Sequence, residues 1–282
     1  MKYIVLIAFL FLGVHAQAQN GWVRKANSFY TQLSVSTFRS NEYYSTEGVL
    51  FNGGSTFNSR GLLFYGEYGL NDRFTAVLDL PVLVLHNFNT TETVAGLGNA
   101  KLGLKYGLLK SFPLSLAVDV EIPTDNGINF ATTKEPNGIG EFEQINLATS
   151  DGELNVWTTL AASQSTKNGK TYASVFGSFN FRTKSFSHQF QSGLEAGHLF
   201  FDKLYLIGKL KIQGRLTENP GQSASFLFGE GTTFTSYGLT TMYKLDAHLR
   251  LIASYSDFTD LISSKRNIYD GATISVGVAL EY

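Results

Sequence analysis

Segments of about ten residues in which apolar and polar side chains alternate recur along the chain from residue 27 onward. In residues 98–109, Leu102 and Leu104 share one face with other apolar side chains, while Lys101 and Lys105 share the opposite face. A period of two belongs to β-strands, whose successive side chains point to opposite faces of a sheet. The alternation therefore predicts strands with one apolar and one polar side.

The number of such segments is about twelve, within a range of about 10 to 14. They lie at residues 28–38, 57–70, 73–85, 98–109, 114–123, 153–163, 170–181, 189–199, 204–215, 232–244, 248–258 and 272–282. Tight turns are expected at 71–72, 110–113, 164–169, 200–203 and 245–247. Longer polar loops are expected at 39–56, 86–97, 124–152, 216–231 and 259–271, with one short loop at 182–187. Turns and loops in alternation predict an all-β protein, a transmembrane antiparallel up-and-down β-barrel.

The first residues have the composition of an export signal. Lys2 precedes an apolar stretch at 4–14, and small residues at 16 and 18 form a cleavage site. We predict a signal peptide at 1–18 and a barrel at 19–282. The alternative is an N-terminal membrane anchor, but the apolar stretch is shorter than the ~20 residues of a spanning helix. An exported barrel belongs in the outer membrane of a Gram-negative bacterium, with its lipids as partners.

Charge and motifs exclude several classes of function. With 22 Lys+Arg against 23 Asp+Glu, the chain offers no basic surface for nucleic acid. No spacing of residues indicates a metal site or a cofactor loop. His188 lies near Ser185 and Ser187, but a polar loop explains this better than a catalytic pair. We therefore predict no enzyme and no cofactor.

Aromatic residues make up 14% of the chain and cluster at the ends of the predicted strands. Rings of aromatic side chains at both membrane surfaces are typical of such barrels. One predicted girdle lies on the turn side: Phe29, Tyr68, Phe74, Tyr106, Phe112, Phe200, Phe201, Tyr205 and Tyr282. The other lies on the loop side: Phe38, Phe57, Phe88, Phe181, Phe186 and Phe234.

The last strand ends the chain on an aromatic residue, Tyr282, after alternating apolar positions at 274, 276, 278 and 280. Barrels of this class commonly end in this way, and their insertion machinery binds the terminal strand. We therefore predict that this machinery is a partner of the strand that ends at Tyr282.

Two stretches carry a resemblance to a known family. The sequence EYGLNDRF at 67–74, followed by Leu80-Pro81 and GLGNAKLGLKY at 96–106, resembles outer-membrane proteins labelled as transporters of the phenol meta-cleavage pathway. That family is similar to the long-chain fatty-acid channels. Asn71 replaces the usual Thr and Asn99 the usual Asp, and the likeness covers about residues 60 to 123. The resemblance implies a barrel that passes small hydrophobic or aromatic molecules. Residues 19–25 are too few for the folded plug of the fatty-acid channels.

Charged residues fall on the polar face of the predicted strands, which would line the lumen. The candidates are Asp79, Lys101, Lys105, Asp119, Glu121, Lys209, Lys211, Arg215 and Arg250, together with Glu67 and Glu195. They could border a narrow polar path or fill the lumen with ion pairs. Because Lys101 and Lys105 lie on a strand between those of Asp79 and of Asp119 and Glu121, we expect pairs among these five.

Loop aromatics form a candidate entrance for solute: Tyr43, Tyr44, Phe51, Phe88 and Phe130, with Phe226 and Phe228. The leading hypothesis is an outer-membrane channel for passive uptake of small hydrophobic or aromatic solutes. A structural or surface-interaction barrel with a filled lumen is the alternative. A barrel lipid hydrolase is the third.

Overall fold

The computed structural model describes residues 19–217 and 231–282, and this part of the chain is built of strands without helices. The predicted signal peptide and the positions Phe226 and Phe228 lie outside the described residues. The strands are β1 Phe29–Tyr44, β2 Leu50–Gly69, β3 Phe74–Phe88, β4 Val94–Gly96, β5 Ala100–Gly107, β6 Leu114–Ile122, β7 Phe130–Thr132, β8 Gln144–Asn146, β9 Asn155–Ser165, β10 Thr171–Arg182, β11 Gln189–Phe200, β12 Leu204–Arg215, β13 Phe234–Lys244, β14 Leu249–Thr259, β15 Ile268–Asp270 and β16 Thr273–Glu281.

Twelve of these strands form a closed antiparallel barrel. Each pairs with the barrel strand that precedes it, and β1 pairs with β2 on one side and with β16 on the other. Of the short strands, β4 adds to β3, β15 adds to β1, and β7 and β8 form a separate hairpin. The predicted fold class and the number of barrel strands are confirmed.

The predicted alternation separates the outside of the barrel from its lumen. On β5 the outward Leu104 is 44% exposed, whereas its neighbour Lys105 is 5% exposed and points inward. The outer surface carries exposed apolar side chains around the barrel, among them Leu33, Leu102, Leu116, Val118, Leu160, Val175, Leu194, Leu239, Leu251, Ile274 and Val278. An apolar surface of this extent is unsuited to water and suited to lipid. The described residues contain no helix long and apolar enough to cross a bilayer.

The two ends of the barrel differ in their connections. One end, here the turn end, holds both ends of the barrel sequence and five short turns, at 70–73, 108–113, 166–170, 201–203 and 245–248. The other, the loop end, holds the connections at 45–49, 89–99, 123–154, 183–188 and 260–272, and it is also where β12 ends and β13 begins. The predicted loop 39–56 is wrong, because β1 continues to Tyr44 and β2 begins at Leu50. Strand pairing continues there with polar side chains on both faces, a pattern that apolar alternation cannot detect.

The predicted aromatic girdle is present at the turn end but not at the loop end. At the turn end, Phe29 stacks on Tyr282 and Phe74 packs on Tyr106, on the outside of the barrel. Tyr205 is an exception, since it faces the lumen. At the loop end, four of the predicted girdle residues point inward instead: Phe38, Phe57, Phe88 and Phe234. The strand alternation places these rings inside, where they can pack on one another rather than on lipid.

The connection 123–154 folds into the mouth of the barrel at the loop end. Leu147 is fully buried there against Phe57 and Phe88. The Nδ1 atom of His86 lies 3.1 Å from the carbonyl oxygen of Ala148, which ties the loop to β3. These contacts hold the longest connection inside the mouth and narrow the lumen at the loop end.

Candidate functional site: the lumen

Residues 19–25, here the strap, enter the lumen from the turn end. The Gly21 amide donates to the Ser163 hydroxyl at 2.8 Å, and the Ser115 hydroxyl donates to the Asn20 carbonyl at 3.0 Å. The Trp22 ring meets the Tyr172 ring edge-on, with centroids 5.6 Å apart. The strap therefore runs along the inner wall formed by β6, β9 and β10. Residues 19–25 form no folded plug and yet occupy the lumen, because an extended segment needs no fold of its own when the wall supplies its hydrogen-bond partners.

A group of five charged side chains, here the turn-end ion cluster, fixes the strap in place. The Arg24 Nε atom lies 2.8 Å from a carboxylate oxygen of Glu67, and the Lys105 Nζ atom lies 3.4 Å from the other. Arg24 also pairs with Glu281, which pairs in turn with Arg250. Three cations thus share two carboxylates at the turn end of the lumen. Mutual pairing is what makes such burial of charge tolerable.

The strap residues of this cluster were missed by sequence reasoning. Trp22 and Arg24 precede the first strand, where no periodicity marks which way a side chain points. The one available signal is their composition, because a signal peptide as predicted at 1–18 does not account for a tryptophan and an arginine that follow it.

A second set of charges lies near the middle of the lumen. Lys101 pairs with Glu121 at 3.6 Å, and the Trp157 indole donates to the same carboxylate at 2.9 Å. Across the lumen Lys209 pairs with Glu195 at 2.8 Å. Of the pairs expected from the sequence, the structure forms Lys101 with Glu121, whereas Lys105 takes Glu67.

The remaining predicted lumen charges also point inward. Asp119 lies over Gly103, where a Cβ atom would come within 1.9 Å of its carboxylate, so a larger residue at this position would displace the Asp119 side chain. Asp79 and Asp119 line a small cavity of about 40 Å³ between the strap and the wall. Lys211 lies 5.3 Å from the centre of the Phe234 ring, and Arg215 lies at the loop end beside Gly231.

Three larger cavities follow one another along the lumen. The loop-end cavity has about 390 Å³ and the mid-lumen cavity about 330 Å³, and both are lined by Lys101 and Glu121. The turn-end cavity has about 280 Å³ and shares Glu195 and Lys209 with the mid-lumen cavity. It lies beside the strap, which lines it with Asn20, Trp22 and Arg24. The lumen is therefore narrow and divided, but it holds free space along its length.

The loop-end cavity is mainly aromatic on one side. Phe38, Phe57, Phe258, Tyr269 and His86 line it. The Tyr269 ring packs on the Phe57 ring at 5.2 Å. These rings give the cavity apolar faces of the kind that bind small organic molecules.

The predicted entrance residues are spread over several surroundings. Tyr43 packs on Tyr269 at 5.2 Å, and Tyr44 lies 4.8 Å from the Lys265 ammonium. Phe51 and Phe130 are exposed on β2 and β7. Phe88 does not belong to this surface, because its position on β3 points it inward, where it is buried in the aromatic cluster beside Leu147.

A buried ion pair lies in the long loop at the loop end. Glu153 is 0% exposed and accepts hydrogen bonds from Arg182. Burial raises the pKa of Glu153 to about 7, and the neighbouring Arg182 opposes that rise only in part. The second carboxylate oxygen of Glu153 has no hydrogen-bond partner among the described residues. No group of three or more His, Cys, Asp or Glu in the same part of the chain could hold a metal ion.

Comparison with known proteins supports the fold. No family model matches the chain, and no curated protein matches its sequence. The COG4313 outer membrane channel from Pseudomonas putida F1 has a TM-score of 0.62 at 14% identity, covering 96% of this chain and 100% of that one. The translocator domain of autotransporter NalP from Neisseria meningitidis has a TM-score of 0.54 at 10% identity, covering 92% and 90%.

The Ralstonia pickettii toluene transporter TbuX, with a TM-score of 0.48 at 10% identity over 97% of this chain and 95% of that one, is too distant to carry an argument. The first two likenesses establish the fold of a bacterial outer-membrane barrel. Together with the apolar outer surface, this fold places the protein in the outer membrane.

Proposed function

We propose that this protein is an outer-membrane channel for passive uptake of small, hydrophobic or aromatic solutes, with the turn end facing the periplasm. The observation that carries the proposal is the row of three cavities through a closed barrel, with aromatic side chains at the loop end and charged ones beyond. A solute would leave water among the rings of the loop-end cavity and then pass between the ion pairs of the mid-lumen.

Transport of solutes of the phenol meta-cleavage pathway, which the resemblance at 67–106 implies, stays a prediction within this proposal. The same holds for the signal peptide at 1–18 and for recognition of the last strand by insertion machinery. The structure closes that strand on β1 through two backbone hydrogen bonds between Phe29 and Tyr282.

A structural barrel with a filled lumen is the second candidate. The strap and the turn-end ion cluster favour it, because both take up space that a solute would need. A lipid hydrolase is the third candidate. Hydrolysis of phospholipid by the purified protein in detergent would support it and contradict the prediction that the protein is not an enzyme.

Ion current through planar bilayers separates the first two candidates. The purified protein, shown to be folded by its heat-modifiable gel mobility, should give small stepwise currents, and the same preparation after boiling should give none. A silent bilayer with demonstrably folded protein would reject the channel and favour the filled barrel.

A further inference from the structure

The mid-lumen cavity holds an excess of positive charge. Five charged side chains line it: Lys101, Glu121, Glu195, Lys209 and Lys211. Four of them are accounted for by the Lys101–Glu121 and Lys209–Glu195 pairs. One lysine is therefore left without a paired carboxylate, and the charged side chains that line the cavity sum to about +1.

Lys211 is the lysine without a counter-ion. Within the described residues no carboxylate lies within 4.0 Å of its ammonium group, and its nearest defined partner is the face of the Phe234 ring at 5.3 Å. The charged side chains that act on it most strongly are Lys101 and Lys209, which repel it. The acidic residues Asp79 and Asp119 line the small cavity, which Lys101 and Lys105 also border, and not this one. An unpaired cation inside a membrane protein is costly, and such residues usually mark a site of function.

The same cavity offers a place for an aromatic ring. The Trp157 and Phe176 side chains line it together with the lysines. Its volume of about 330 Å³ is at the lower end of the range of about 300 to 1,000 Å³ found for small-molecule sites. A molecule of one ring and one short substituent would fit this space.

We propose that the mid-lumen cavity is a binding site for small aromatic carboxylates, in which Lys211 supplies the counter-ion and Trp157 and Phe176 pack on the ring. This assignment rests on the proposed channel function and makes its solute class more specific. A neutral aromatic molecule would leave Lys211 as it is, without a counter-ion. An aromatic carboxylate fills the cavity and neutralises its excess charge at once.

Binding of benzoate, with benzyl alcohol as the neutral molecule of the same size, tests the assignment. Isothermal titration in detergent on the folded full chain would compare wild type, Lys211→Met and Lys211→Arg. Lys167→Met, which removes an exposed lysine in the turn 166–170, is the matched control. Wild type should bind benzoate more tightly than benzyl alcohol. Lys211→Met should weaken benzoate binding about 10- to 100-fold, as expected for loss of a charge-assisted hydrogen bond, while Lys211→Arg and Lys167→Met should retain it.

Several results would overturn the assignment. Equal binding of benzoate and benzyl alcohol by wild type would show that the cavity recognises the ring and not the charge. This comparison uses wild type alone, so it does not depend on the folding of any variant. Benzoate binding that survives Lys211→Met would place the anion elsewhere. Displacement of bound benzoate by chloride at the same concentration as by free benzoate would show that the site takes any anion. The titration does not depend on conduction, so a silent bilayer would reject the channel separately.

Discussion

The two halves of the lumen are built from different chemistry. In the half nearest the turn end, Arg24, Lys105 and Arg250 share the carboxylates of Glu67 and Glu281, and the strap lies along the wall. In the half nearest the loop end, aromatic rings and the inserted loop border the loop-end cavity. Paired ions fix one geometry because each partner is costly to separate, whereas aromatic rings offer apolar faces that need no charged partner.

If the protein is the channel proposed above, this difference predicts a division of labour along the lumen. The loop-end half would receive apolar solutes, and the turn-end half would set the width of the path through one fixed arrangement of charges and backbone. Substitutions in the turn-end half should therefore change permeation. Substitutions in the cavities nearer the loop end should change solute preference.

The loop end and the turn end should face different compartments, and the difference in antibody labelling between them should be all-or-none. An epitope inserted after Gly138, which lies exposed in the loop 123–154, should be reached by antibody on intact cells. The same epitope after Asn168, in the turn 166–170, should be reached only after the outer membrane is ruptured. The opposite pattern of labelling would invert the barrel and reverse the roles of its two halves.

Breaking the turn-end ion cluster should destabilise the barrel strongly. Glu67 is 6% exposed and is the shared partner of Arg24 and Lys105. Glu67→Gln leaves both cations short of a carboxylate, and the expected loss is about 3 to 5 kcal/mol. Glu92→Gln, at an exposed loop position, should change stability by no more than about 0.5 kcal/mol. Urea unfolding in lipid vesicles measures the free energy of unfolding of both variants. Equal values for the two would show that the ion cluster does not stabilise the barrel.

The loop-end half should respond to pH through Glu153. The pKa of this carboxyl is raised by burial to about 7 from an ordinary value of 4.5, so the folded state binds its proton more tightly than the unfolded state does. Its contribution to stability is full below about pH 4.5 and is lost as the pH rises through about 7, a change of up to about 3 kcal/mol.

The measurement for Glu153 is a difference between variants, because other carboxylates titrate as well, Asp151 among them. Between about pH 5 and about pH 8, wild type should lose more thermal stability than Glu153→Gln does. Glu135→Gln, which removes an exposed carboxylate from the same loop, should behave as wild type. A wild-type profile that matches Glu153→Gln would place the pH response elsewhere.

The barrel itself could be predicted because lipid imposes a pattern on the sequence. Leu104 must face lipid and Lys105 the lumen, so the order of residues records the direction of each side chain. The pair Lys101–Glu121 was accessible for the same reason, since both residues lie on the polar faces of adjacent strands. Outside the membrane no lipid requires apolar and polar side chains to alternate. The strand extension from Arg39 to Tyr44 was therefore mistaken for a loop.

The turn-end half could not be predicted because its main feature lacks periodicity. Arg24 lies in an extended strap, and only the tertiary structure shows that it reaches Glu67 and Glu281. Tyr205 and Ile207 interrupt the polar face of their strand in the sequence. In the structure they line the turn-end cavity, where an apolar wall faces the strap.

Single-channel conductance of a strap variant is the sharpest test of whether the strap sets the width of the path through the lumen. A Cβ atom at Gly21 would lie 2.1 Å from the Pro113 carbonyl oxygen and 2.8 Å from the Ser163 nitrogen, so Gly21→Val cannot keep the strap against the wall. Gly177→Ala adds a methyl group in open space on the outside of the barrel and is the matched control. We expect small current steps for wild type and Gly177→Ala, and steps several times larger for Gly21→Val. Identical steps in all three folded proteins would show that the strap does not set the width of the path.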